Sequence, residues 1–138
     1  MKKKQTIFIA LLSLMILATS ICVHAAQTGQ IIASGSVTIS RPSESSNQIL
    51  IEGDTESHDD VDSLKLIIYL DYKPTLSSSS YTTLDSWTYT KSSAHLLSKS
   101  RNYTGADGYY RLRGFHSATL SGYGTETMDS ETGWLRVD

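Results

Sequence analysis

Apolar and polar residues alternate with a period of two through several stretches beyond residue 30, and no window sustains the 3.6-residue period of an amphipathic helix. Ser36 to Ser40 puts Val37 and Ile39 on one face before Arg41 and Pro42 break the run. Gln48 to Glu52 does the same with Ile49 and Ile51. Leu64, Leu66, Ile68 and Leu70 share a face opposite Lys65, Ile67, Tyr69 and Asp71. Apolar residues on both sides predict a central strand, ended by Lys73 and Pro74, since proline cannot continue a ladder. Serines 77 to 80 predict a polar loop. Trp87 and Tyr89 alternate on a fourth strand, His95 to Tyr103 forms a weaker fifth, Gly108 to His116 a strong sixth, and Trp134 to Val137 closes the chain. Short strands parted by turn signals, rich in Ile, Val, Thr and Tyr, predict an all-β fold. The specific expectation is a single immunoglobulin- or fibronectin-like antiparallel β-sandwich of about seven strands. No internal repeat is present, which excludes solenoids and propellers.

The first 26 residues follow another pattern. Lys2, Lys3 and Lys4 precede an apolar run from Ile7 to Val23, and Val23-His24-Ala25-Ala26 has the small residues that a signal peptidase reads. A membrane anchor needs about 20 apolar residues. Here Thr19, Ser20 and the Ala25-Ala26 exit break the far end of the run. A lipid anchor at Cys22 wants a small residue before the cysteine, where Ile21 is branched. Residues 1–26 are therefore expected to be a signal peptide cleaved after Ala25 or Ala26, and residues 27–138 a secreted domain without stable membrane insertion. The lysine start and short apolar run suit a Gram-positive source.

Cleavage removes Cys22, the one cysteine, and with it any disulfide, thiolate nucleophile or cysteine metal ligand. It also removes three lysines, taking the formal net charge from −2 to −5. Phosphate neutralisation needs clustered Lys and Arg, so nucleic acid is not an expected partner.

Candidate chemistry is sparse. No G-x-S-x-G elbow occurs; Gly114-Phe115-His116-Ser117-Ala118 frames a histidine instead. Glu52, Glu126 and Glu131 do not single out a carboxylate pair for glycoside hydrolysis. No catalytic residue is assigned and no enzyme is expected. Asp54, Glu56, His58, Asp59, Asp60 and Asp62 crowd what reads as a loop between two strands. Asp54, Glu56, Asp59, Asp60 and Asp62 could hold Ca²⁺ through hard oxygen ligands, although the spacing is not that of an EF-hand. The alternative is a solvated hairpin loop that keeps an edge soluble, with no cofactor at all. His58, His95 and His116 could serve zinc only by converging from separate strands, and the alternation of His116 with Tyr110, Leu112 and Gly114 turns it inward instead. Gly108, Tyr110 and Leu112 alternate as at a tyrosine corner, where a buried tyrosine returns its hydroxyl to nearby backbone; Ala106 stands where that pattern often has aspartate.

Aromatic residues carry the strongest binding signal. Eight tyrosines and two tryptophans face one phenylalanine, Phe115, after residue 26. Tyr and Trp keep a polar handle and favour half-wet surfaces. Trp87 and Tyr89 share one strand face, and Tyr109, Arg111, Arg113 and Phe115 share another. Aromatic rings beside arginine or carboxylate groups suit sugar rings. The competing reading makes the tryptophans core anchors and the tyrosines covers for sheet edges. Asn102-Tyr103-Thr104 is a glycosylation sequon by pattern, idle in most bacteria.

The run Gly108-Tyr109-Tyr110-Arg111-Leu112-Arg113-Gly114-Phe115-His116, followed by a Gly/Thr/Glu-rich turn and a last strand, resembles a group of small exported Firmicutes proteins that carry a domain of unknown function. The resemblance implies no activity. The expected function is thus a non-catalytic extracellular binding module for cell-wall glycan or a surface protein; the alternative is a secreted antagonistic factor of the bacteriocin-like kind.

Overall fold

The computed structural model describes residues 31–44 and 46–138; the signal peptide read at residues 1–26 lies outside them. Among the described residues there is no helix, and six antiparallel strands form one hydrogen-bonded sheet: β1 (Ile32–Ser40), β2 (Gln48–Lys73), β3 (Thr82–Thr104), β4 (Gly108–Leu120), β5 (Gly124–Glu131) and β6 (Leu135–Val137). The all-β expectation holds. The strand count differs, because two pairs of expected short strands are each one long strand and β5 was not expected as a strand. β2 spans 26 residues and β3 spans 23, paired along both their halves.

These two strands carry the sheet around a corner. On β2 the buried positions are odd-numbered from Ile49 to Ser57 and even-numbered from Leu64 to Leu70. Between the two runs Glu56 pairs with Leu96 and Val61 with Ala94, so β2 spends several extra residues against almost none on β3. Such a bulge bends a strand and resets which side chains point inward. Ser93 of β3, at the same level, takes a φ of 51°, uncommon for a residue with a side chain. β1 lines the first half of β2, and β4 lines the second half, extended by β5 and β6. The curled sheet folds into two layers. The first holds β1 with the early part of β2 and the late part of β3. The second holds the early part of β3, the late part of β2, β4, β5 and β6.

Ile49, Ile51, Leu64, Leu66, Ile68, Leu70 and Leu112 are fully or almost fully buried. At two glycines one layer leaves no room for a side chain against the other. A Cβ on Gly35 would lie 2.5 Å from the His116 ring, and one on Gly114 would lie 2.7 Å from Val37. Both positions therefore need glycine.

The acidic stretch is not a loop. Asp54 to Asp62 lies inside β2 and passes through the corner. The segment read as a Gly/Thr/Glu-rich turn is strand β5, with only Ser121 to Tyr123 left to turn. The serines at 77–80 do lie in the connection between β2 and β3.

Tyr110 closes a tyrosine corner. Its ring is buried, and its hydroxyl donates to the Ala106 carbonyl at 2.7 Å. A backbone carbonyl accepts that bond, so alanine at 106 is no obstacle. Burial, with Tyr103 and Tyr72 beside it, pushes the Tyr110 pKa up to about 12. Tyr110→Phe leaves the shape intact and the carbonyl without its donor. It should lower unfolding free energy by about 1 kcal/mol, read as a lower urea midpoint at unchanged slope.

Candidate functional site

The outer face of the second layer is assembled from cross-strand rows. Arg111 and Arg113 of β4 lie opposite Asp71 and Tyr69 of β2, while Phe115 lies opposite Ile67. On the other side of β4, Glu131 pairs with Arg113 and Asp129 with Phe115. Alternation on each strand sends these side chains outward together.

Asp71 organises the face. Its side chain is 0% exposed, yet charged groups surround it. Arg113 donates from Nε at 2.7 Å and from Nη2 at 3.1 Å, Arg111 donates from Nη2 at 3.1 Å, and the Thr83 hydroxyl donates at 2.7 Å. Burial alone would raise the Asp71 pKa, but the hydrogen bonds from Arg113, Thr83 and Arg111 outweigh it and hold the carboxyl below its ordinary value. The same pairing, against some desolvation, raises Arg113.

Around this ion cluster, cations and rings alternate. Lys73 Nζ sits 4.4 Å from the Trp134 ring centre; the Arg111 guanidinium is 4.8 Å from Trp134 and 4.7 Å from Tyr81. Arg113 lies 5.7 Å from Tyr81 and 5.0 Å from Tyr69. Each such contact contributes roughly 0.5–2 kcal/mol depending on desolvation. The Nε of Arg111 is buried without a hydrogen-bond partner, so ring contacts are its surroundings on that side. Arginines held by both a carboxylate and rings are fixed in place before any ligand arrives.

Beside Arg113 the face opens into a groove of about 450 Å³ lined by Tyr69, Arg113, Gly114, Phe115, Asp129, Ser130 and Glu131. Its aromatic members are Tyr69 and Phe115; its polar rim is Arg113, Asp129 and Glu131. Glu131 reaches Arg111 only at 3.5 Å.

The structure divides the aromatic residues singled out in the sequence. Tyr109, Arg111, Arg113 and Phe115 share this outer face and are half-buried. Trp87 and Tyr89 do not join them: they pair with Ile68 and Leu66, whose side chains point between the layers. There Trp87 packs against the core, with Arg101 4.1 Å from its ring centre. Trp134 lies among the cations of the outer face. Asp71, Tyr69, Tyr81 and Asp129 were missed as site residues: Asp71 and Tyr69 join Arg111 and Arg113, and Asp129 joins Phe115, by cross-strand pairing, while Tyr81, just before β3, joins through ring contacts with both arginines, none of which local sequence encodes.

The acidic residues are dispersed along β2. Glu56 accepts from Ser34 at 3.2 Å, Asp60 is hydrogen-bonded to His95 at 3.0 Å, and Asp62 accepts from the Ser121 amide at 2.6 Å. Asp54 and Asp59 have no shared centre with them: among the described residues no three His, Cys, Asp or Glu side chains converge as a metal site would require. His116 points inward and is fully buried, with Nδ1 hydrogen-bonded to the Thr55 hydroxyl at 2.8 Å and Nε2 to the Ser130 hydroxyl at 2.7 Å.

The model of a family of unknown function, DUF6147, matches residues 19–133. No curated protein matches the chain. Among solved structures, it is similar to a β-glucosidase from Kluyveromyces marxianus, with a TM-score of 0.37 and 8% identity over 75% of this chain and 15% of that one. The sporulation control protein Spo0M from Bacillus subtilis gives a TM-score of 0.33 and 10% identity over 77% of this chain and 49% of that one. The chain thus spans about a seventh of the glucosidase and half of the sporulation protein, likenesses too slight to carry any inference.

Proposed function

We propose that this chain, which belongs to the DUF6147 family, is an exported, non-catalytic module that binds cell-wall glycan in the groove beside Arg113. The observation that carries this reading is the meeting of ring faces and fixed polar groups in one open groove. Sugar rings present CH faces to Tyr69 and Phe115 and hydroxyls to Arg113, Asp129 and Glu131. The Asp71 cluster holds Arg113 in position, so ligand binding orders little that is not already ordered. The charge pattern at residues 2–4 and the small-residue exit at 25–26 support export, which places the groove where wall glycans are.

The test mixes protein lacking residues 1–26 with intact Gram-positive cell walls and measures the fraction that sediments. Saturable sedimentation is expected. Phe115→Ala removes a stacking ring from a half-exposed site and should weaken binding about tenfold, about 1.4 kcal/mol, with the unfolding midpoint nearly unchanged. Sedimentation that never saturates, or that Phe115→Ala leaves untouched, sets this groove aside.

A further inference from the structure

β3 hydrogen-bonds β2 along its length and no other strand among the described residues, so its second edge is open for 23 residues. An open edge is a template for another strand, and proteins usually blunt it with proline, dense charge or shortness. β3 is long and carries no proline between residues 82 and 104, and its charges, Asp85, Lys91, Lys99 and Arg101, are few and spaced, with the acid on one side of the bend and Lys99 and Arg101 on the other. The open edges of β1 and β5 are much shorter, 9 and 8 residues, and β5 carries Glu126, Asp129 and Glu131.

Leu97 apart, the side chains that β3 sends between the two layers are only partly covered. Asp85 and Arg101 are exposed and Trp87, Tyr89 and Tyr103 only half-buried, although they pair with Leu70, Ile51, Ile68, Leu66 and Ile49 of the core. The hydrophobic layer therefore stops at the β3 rim. Contacts of Arg101 with Trp87 and of Lys99 with Tyr89 span the gap.

We propose that two copies of this chain pair antiparallel through their β3 edges, about a two-fold axis at Ser93. The corner dictates the register. β3 bends at Ser93, so a neighbour stays paired along both arms only if its own bend lies alongside. For two identical strands related by a two-fold axis, one register meets that condition, with Ser93 opposite Ser93. Asp85 then faces the partner's Arg101, and Trp87 faces the partner's Lys99, each twice by symmetry. Directly opposite residues in an antiparallel pair point to the same face, and all four of these point between the layers. Lys91 meets the partner's His95, whose ring is already tied to Asp60 at 3.0 Å. The two-fold consumes both open edges and closes, giving a dimer with both layers continuous across it.

Sedimentation velocity of the purified chain from about 1 to 200 µM should show a monomer–dimer equilibrium. Asp85→Arg and Arg101→Asp each set like charges opposite one another at two places and should weaken dimerisation about tenfold or more. The double variant restores opposite charges with the order reversed and should recover dimerisation to within about threefold of wild type. Both positions are exposed, and circular dichroism checks that each variant keeps its strands. Hydrogen exchange of the β3 amides, slowing as wild-type concentration rises, gives a second readout that needs no substitution. A chain monomeric throughout this range overturns the proposal. So does a dimer that either single variant leaves intact, or one that the double variant does not recover.

Discussion

Replacing Asp71 by alanine should lower the unfolding free energy by about 3 kcal/mol, seen as a large drop in urea midpoint. Removing one member of a buried ion pair leaves its partners charged and unpaired, a cost of roughly 3–5 kcal/mol in a fully buried site. Here Arg111 is 17% exposed and Arg113 is 36%, so water recovers part of that cost and the lower end applies. Asp71→Asn should cost nearly as much. It keeps the size but sets an amide N–H₂ against guanidinium groups that need acceptors. Glu131→Gln is the contrast: that side chain is mostly exposed and 3.5 Å from Arg111, so its loss should cost well under about 1 kcal/mol. The pH dependence has a defined sign. Because the folded pKa of Asp71 is depressed, its stabilisation is present above the unfolded value near 3.9 and is lost as pH falls through the lower folded value. Asp71→Asn should therefore lose less on acidification than wild type. An Asp71→Ala protein with a wild-type midpoint would mean that solvent already screens the cluster.

The central strand was legible because its inward face is made of leucine and isoleucine. Leu64, Leu66, Ile68 and Leu70 alternate without interruption, and all are buried. β5 was illegible for the opposite reason. Its inward residues are Glu126, Met128 and Ser130, so no apolar period exists to find. Their partners explain how the strand survives: Glu126 accepts from the Ile31 and Ile32 amides at 2.5 and 3.1 Å, and Ser130 meets His116. The corner of β2 read as a loop because Asp59, Asp60 and Asp62 disfavour strands, yet the flanking residues are paired to β1 and β3. The same limit governs the site. The spacing of Tyr109, Arg111, Arg113 and Phe115 showed a shared face. Which face Trp87 occupies depends on its pairing with Ile68, and the buried partner of both arginines stands about 40 residues upstream in Asp71.

An inward residue of β4 carries the second large effect. His116 is fully buried against Gly35 of the other layer, and His116→Ala should lower stability by about 3–4 kcal/mol. Part of this is the cavity left behind, and part is the Thr55 and Ser130 hydroxyls stranded without a partner. Gly35→Ala attacks the same contact from the other layer. Its Cβ would meet the imidazole at 2.5 Å, and the ring cannot turn aside without breaking both hydrogen bonds. Overpacking of this kind costs about 2–3 kcal/mol. In the His116→Ala background the added methyl has room, so Gly35→Ala should there be close to neutral. That coupling in a double-mutant cycle separates a direct clash from a general intolerance at residue 35. Burial holds the His116 pKa below its ordinary value, despite the opposing charges of Asp129 and Asp54. The unfolded chain therefore takes up a proton first. Stability is complete above about pH 6.5 and falls as pH drops below it, until the folded value is reached, with a slope of at most about 1.4 kcal/mol per pH unit. Urea midpoints between pH 7.5 and 5 should show that decline in wild type and a flatter profile in His116→Gln. The Asp71 loss sets in only near and below the unfolded value of about 3.9, under the range of pH 7.5 to 5 in which His116 is followed. Equal slopes in wild type and His116→Gln would mean that the imidazole is charged at no extra cost inside the fold.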